Sequence, residues 1–214
     1  DTIFSSDGVF VDPPGFLAKA VEAAREAGAL FIADEVQAGF ARSGSHFWGY
    51  RRHGLAPDLV TMGKPMANGH PVAAVAARAD VLKSFGETCR YFNTFGGNPV
   101  SCAAGMAVLD VIEGEGLENN VVNTGARLAA ALNDLRQRHD AIGDVRGTGL
   151  FYGVDIRGGG AVAARIVNCL RERRVLISAT GVNGDVLKIR PPLVFSPAHV
   201  DQLATTFDAV LSDL

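Results

Sequence analysis

Apolar positions change their rhythm about midway along the chain. In the first half they form short unbroken runs that end abruptly in polar residues. LFIADEV (30–36), PDLVTMG (57–63) and PVAAVAA (71–77) are of this kind. Unbroken apolar runs of strand length predict strands covered on both faces, as in a parallel sheet. Helical spacing surrounds them. Phe16, Leu17, Val21 and Ala24 share one face of a helix predicted over 14–28, with Pro14 near its start and Gly28 as its stop. A second helix should begin at Asn98 as N-cap, with Pro99 in the first helical position, and run through SCAAGMAVLDVI until Gly114-Glu115-Gly116.

After that break the apolar positions are spaced for helices. Leu117, Val121, Leu128, Leu132 and Leu135 make one stripe, and two strands are expected in GLFYGVDI (149–156). A Gly-Gly-Gly loop at 158–160 then leads to a helix through Val162, Ile166 and Leu170. VLISA and VLKIR read as a strand pair, and Ser196–Pro197 caps a last helix bearing Val200, Leu203, Phe207 and Val210. The layout is α/β over 1–113, followed by a smaller α+β domain over 114–214.

Composition narrows the partners. With 214 residues, 48% of them hydrophobic, the chain can bury a sizeable core. A net charge of −3 argues against nucleic acid or a membrane surface as partner. Cys89, Cys102 and Cys169 are odd in number and lack CxxC spacing, which predicts buried reduced thiols in a cytosolic protein. No run has transmembrane length and no basic-then-apolar leader is present, so a cytoplasmic protein is expected. The opening without methionine suggests a piece of something longer. His46, His53, His70, His139 and His199 never fall at metal-ligand spacing, so no metal and only surface or loop roles are expected of them. Walker A, GxSxG and strand-GxGxxG patterns are absent.

Ligands of open parallel sheets bind beyond the carboxyl ends of the strands. Asp34 and Glu35 close one predicted strand, and Lys64 closes another. Singly, Asp34 is an ordinary strand-end acid and Lys64 an ordinary loop lysine. Together with the turn Thr94-Phe95-Gly96-Gly97-Asn98-Pro99 they match what pyridoxal phosphate requires. Its aldehyde needs an amine, its ring nitrogen a carboxylate, and its phosphate hydroxyl and N–H donors at a helix start.

Three blocks carry a resemblance to a known family: LFIADEVQAGFARSG, PDLVTMGKPMANGHPVAA and YFNTFGGNPVSCAAGMAVL. The chain resembles, from residue 1 to its last helix, the class III (ω-type) pyridoxal-phosphate aminotransferases of fold type I. The resemblance implies the second half of the large mixed-sheet domain followed by the small C-terminal domain. It makes Lys64 the Schiff-base lysine, which shuttles a proton between the substrate carbon and the cofactor's C4′. Asp34 would salt-bridge the pyridinium nitrogen, Val36 would press on one ring face from the same strand face as Asp34, and Gln37 would bond near the phenolic oxygen. Plain core packing is the other reading of Val36. The Thr94 hydroxyl would reach the cofactor phosphate of a neighbouring subunit, which implies a homodimer; the other reading is a simple turn residue. Phe47 and Trp48 are expected beneath the cofactor loop.

Many members grip the substrate carboxylate with a late-strand arginine. Here that position is Lys188, in LKIRPPL, with Arg190 two residues on and, by strand alternation, on the same face. Lysine cannot grip a carboxylate bidentately, so the pair is either a modified anion site or two exposed strand cations. Asp1 aligns with an acid that in some members pairs with the late arginine. The implied activity is transfer of an amino group from an amino acid or amine to a 2-oxo acid. The GKPxxNGHP and YFNTFGG wording is also similar to the branch that eliminates phosphate and ammonia from phosphorylated amines. A third reading is a catalytically incomplete fragment acting only in dimerisation or structure, because the family's phosphate-cupping turn and ring-stacking aromatic would precede residue 1.

Overall fold

A computed structural model describes residues 1–214, which build two separate sheets. The first holds β1 (Ile32–Asp34), β2 (Leu59–Met62) and β3 (Ala74–Ala77) in that order. Helix α1 (Ala18–Glu26) precedes them and is shorter at both ends than the pattern predicts. Strands β1 and β2 are parallel, as expected, but β3 runs antiparallel to β2. The physical reason is the connection: a parallel crossover needs a dozen or more residues, usually a helix, and here only 63–73 lie between the strands. Helix α2 (Ala79–Thr88) follows, a helix that the sequence reading did not place although Val81, Leu82 and Phe85 are spaced for one; none of its residues is buried, and Leu82 and Phe85 are exposed. Helix α3 (Pro99–Gly114) starts where predicted, with the Asn98 side chain accepting the Ser101 N–H at 3.0 Å.

The second sheet is antiparallel throughout, in the order β4 (Ile142–Thr148), β5 (Phe151–Ile156), β7 (Val186–Ile189), β6 (Ser178–Thr180). Helices α4 (Leu117–Arg138), α5 (Gly159–Glu172) and α6 (Pro197–Ser212) accompany it. Residues 149–156 hold one strand, not two. Its partner is IGDVRGT, whose glycines and charges hide it from any reading based on apolar runs. The triple glycine is not a loop either. Gly158 caps α5 at φ +100°, and a Cβ on Gly160 would come within 2.5 Å of the Asn183 carbonyl oxygen. The Ser196 cap of α6 is present as predicted, reinforced by His199.

A cluster of 19 buried residues, with Leu128, Leu132, Leu187 and Phe207 among its members, lies between this sheet and its helices. Each large side chain there contributes roughly 1.5–3 kcal/mol by burial. The first sheet has no comparable core. Ile32 and Val75, which lie in apolar runs expected to be covered, are exposed, as are Phe85, Phe92 and Val100. Cys89 and Cys102 are exposed as well, against the expectation of buried thiols, and all three cysteines are unpaired.

His53 departs from the surface role expected of it. It is 3% exposed, its Nε2–H donates to the Thr2 carbonyl at 2.9 Å, and the Gly15 N–H donates to its Nδ1 at 3.2 Å. Burial, followed by the Arg52 charge, outweighs the Thr2 bond and lowers its pKa. A histidine depressed below its unfolded value adds stability above the unfolded pKa, and that stability is lost as pH falls through the folded one. The urea midpoint should therefore drop between pH 7 and pH 5, and more steeply than in His53→Gln. Parallel pH curves for the two proteins would refute this.

Candidate active site

Two strand ends assemble the site. In the parallel pair, Asp34 is in register with Thr61, so Lys64 lies three residues beyond the position beside Asp34. Strand β1 stops at Asp34, where the chain turns: the Val36 N–H donates to Asp34 Oδ1 at 3.0 Å. Val36 therefore reaches the site from a turn and not by strand alternation. Its methyl carbons lie 3.8 Å from where a Cβ on Gly63 would stand, which sets it beside the end of β2. Lys64 opens a short 3₁₀ turn (Lys64–Ala67) with φ +33°, a left-handed conformation that L-residues rarely adopt and that clusters at functional positions. It is exposed and has no ion-pair partner.

Glu35, between the two site residues Asp34 and Val36, is completely buried. Its carboxylate accepts the Gly49 and Tyr50 N–H groups at 2.7 and 2.8 Å, anchoring the β1 turn to the segment that follows it. Burial pushes its pKa up, against the pull of those two bonds. The sequence reading noted this acid and assigned it no role. Alternation in DEV was the available signal, since it places Glu35 opposite Asp34.

A cavity of about 650 Å³ opens beside these strand ends. Val36, Gln37, Lys64, Lys188 and Arg190 all line it, so the structure gathers five of the seven predicted residues. Asp34 sits exposed at the adjoining strand end, and Thr94 is exposed on a loop away from the cavity. That loop is shaped by Asn93, whose side-chain oxygen accepts the Phe95 and Gly96 N–H groups at 3.1 and 2.9 Å. Gln37 donates to the Ser5 hydroxyl, which donates in turn to Asp1. The Asp1 carboxylate also takes the Ile3 and Ser5 N–H groups at 3.0 and 2.8 Å, so Asp1 is a local cap and not the partner of Lys188 or Arg190. Phe47 and Trp48 pack on Phe40 in a small aromatic cluster, with centroids 4.9–5.4 Å apart.

Arg42 and Arg174 also line the cavity, and sequence reasoning missed both. With them the lining carries five lysines and arginines and no aspartate or glutamate. Lys188 is only 8% exposed, with Nζ 5.6 Å above the Phe151 ring, while Arg190 is exposed. The picture of two exposed strand cations is wrong for Lys188. Burial lowers its pKa, and the charges of Arg190 and Lys64 lower it further. Arg42 is pushed down to about 10, by burial and then by Arg190. Lys188 is buried and Arg42 half-buried, neither with a carboxylate partner, which is costly, and with Lys64, Arg174 and Arg190 exposed beside them the acid-free lining suits an anion.

The sequence matches the family model of the class III aminotransferases over residues 1–211. The chain belongs to the class III aminotransferases. It is 41% identical over 99% of its length to an alanine–glyoxylate aminotransferase 2-like protein of Drosophila melanogaster, 45% of which it covers. An ethanolamine-phosphate phospho-lyase homologue of Caenorhabditis elegans is 38% identical over 99% of the chain and is covered to 48%. Among solved structures, an Arthrobacter phospholyase in complex with phosphoethanolamine is similar over the whole chain and 52% of its own, at 44% identity and TM-score 0.96. The chain thus spans about half the length of the relatives it matches. These likenesses establish the fold type I architecture of this class III member, and pyridoxal phosphate is the cofactor of the family.

Proposed function

We propose that the protein of which these residues form the matched part is a pyridoxal-phosphate aminotransferase that moves an amino group from an amino acid or amine to a 2-oxo acid. The supporting observation is the pair of parallel strand ends, which puts the unpaired Lys64 amine in the cavity wall and the exposed Asp34 carboxylate at the adjoining strand end. These residues fit the cofactor: an amine free to condense, a carboxylate free to meet a cationic nitrogen, and no competing acid in the cavity. When bound, pyridoxal phosphate supplies a reactive aldehyde and an electron-withdrawing ring.

The protein's own groups do the remaining work. In this reading Lys64 takes a proton from the substrate carbon and returns it. Asp34 holds positive charge opposite its carboxylate. Val36 bounds the cavity on the side of the ring, Gln37 offers an amide, and Lys188 with Arg190 holds the substrate's anionic group. Residues 1–113 serve as the cofactor-binding part and 114–214 as the small domain. We place Thr94 at the cofactor phosphate of a second subunit in a homodimer; its exposure on an outward loop and the exposed apolar residues of α2 and α3 support that arrangement. No helix is long and apolar enough to cross a membrane. Three unpaired cysteines suit a reducing compartment such as the cytoplasm.

A second reading, elimination of phosphate and ammonia from a phosphorylated amine, is favoured by a lining whose lysines and arginines face no aspartate or glutamate. Lysine serves phosphate well as a point charge, whereas carboxylate recognition favours the arginine fork. Product analysis separates the two. With the full-length protein, a phosphorylated amine and a 2-oxo acid, transamination consumes the oxo acid mole for mole. Release of phosphate and ammonia without oxo-acid consumption would overturn the aminotransferase reading in favour of the lyase.

A further inference from the structure

The proposed function leaves one residue of the cavity wall, Arg42, without a task. It stands in the turn after Gln37, where Phe40 and Ala41 both hold positive φ, at +57° and +62°. Two successive non-glycine residues in the left-handed region are strained, and such strain persists only where surroundings enforce it. The enforcement comes from the second sheet. The Leu150 N–H donates to the Arg42 carbonyl at 3.1 Å, and the Thr148 hydroxyl donates to the Ser43 carbonyl at 2.9 Å. Gly149, at φ +55°, lets the two turns meet: a Cβ there would lie 2.5 Å from the Arg42 carbonyl oxygen.

The Arg42 side chain closes this contact from the other direction. Its Nη1 donates to the carbonyls of both Leu150, at 3.3 Å, and Pro191. Pro191 directly follows Arg190, two residues past the end of β7. No carboxylate neutralises Arg42, which is absent from every ion pair of the structure. A guanidinium held between carbonyls, lining an acid-free cavity beside another arginine, is poorly explained as a stabilising group alone.

We infer that Arg42 is the positioning residue of the anion-binding pair: by clamping the Leu150 and Pro191 carbonyls it holds Lys188 and Arg190 in register with the turn that carries Val36 and Gln37. The site that receives the amine and the site that receives the anion lie on different sheets, and Arg42 joins them. This rests on the reading of Lys64 as the cofactor's lysine, which is checked first by the pyridoxyl adduct on the reduced wild-type protein; its absence would sink that reading and not the role of Arg42.

The test uses the full-length holoenzyme and two probe amines, phosphoethanolamine and ethanolamine, which differ only in the terminal phosphate. The change in the bound cofactor's absorbance gives a half-saturating concentration and a limiting rate for each. In Arg42→Gln the half-saturating concentration of phosphoethanolamine should rise about 10- to 100-fold, the range expected for losing charge-assisted bonds, while the ethanolamine value and both limiting rates stay within about threefold. Arg42→Lys, which keeps the charge on a shorter side chain, should fall between. Equal changes for the two amines, or no change, would overturn the inference. So would a wild type that does not distinguish the amines, or Gln and Lys variants that both fail to fold, since Arg42 would then be holding the structure and not the anion site.

Discussion

Lys64→Ala, made in the full-length protein, should lower turnover by at least about 10³-fold and remove the pyridoxyl adduct that borohydride reduction leaves in the wild type. Two functions end with one amine: covalent attachment of the cofactor, and proton transfer at the substrate carbon, which alone is commonly worth 10²–10⁴-fold. The fold should survive. Lys64 is exposed and makes no ion pair, and alanine meets at φ +33° the same backbone cost that lysine already meets. An alanine variant that keeps more than about a tenth of wild-type turnover, or an adduct that maps to Lys188 by mass spectrometry, would refute the assignment. Lys188 is the informative competitor because it is the other amine of the cavity.

Asp34→Asn tests the second half of the site. Asparagine keeps an oxygen that can accept the Val36 N–H, now at 3.0 Å, so the turn after β1 should hold and only the charge is removed. An opposite charge within about 4–6 Å shifts a pKa by 1–3 units, and each unit is tenfold in the corresponding equilibrium. Loss of the carboxylate should therefore reduce kcat/KM by about 10- to 10³-fold, with the adduct on Lys64 still formed. A variant within about threefold of wild type would show that Asp34 does not face the ring. Loss of the adduct as well would show that the substitution damaged the strand end and not the charge balance.

Much of this site was legible because its chemistry is written in local blocks. DEVQ, the lysine after PDLVTMG, and TFGGNP each mark a strand end or helix start, and backbone geometry at such places depends on neighbours in the chain. The same locality explains the accurate caps at Asn98 and Ser196. Residues whose meaning depends on distant partners were missed. Arg42 reads as one more polar residue in AGFARSG until Leu150 and Pro191 are brought to it. Arg174 is a basic residue after a helix until the cavity opens beside it. IGDVRGT looked like no strand because an edge strand with glycines and paired charges has no apolar run to announce it.

By itself, the amino-acid sequence determined most of the strands and helices, though not α2 or β4, together with the amine and the carboxylate near two strand ends and the family to which the chain belongs. Those are short-range properties, set by which side chains and turns a few consecutive residues can form. Only the tertiary structure decided that β3 runs antiparallel, that Lys188 is buried while Arg190 is exposed, and that the cavity gathers cations without a single acid. These depend on which distant segments exclude water from one another, and burial has no signature within a short stretch of chain.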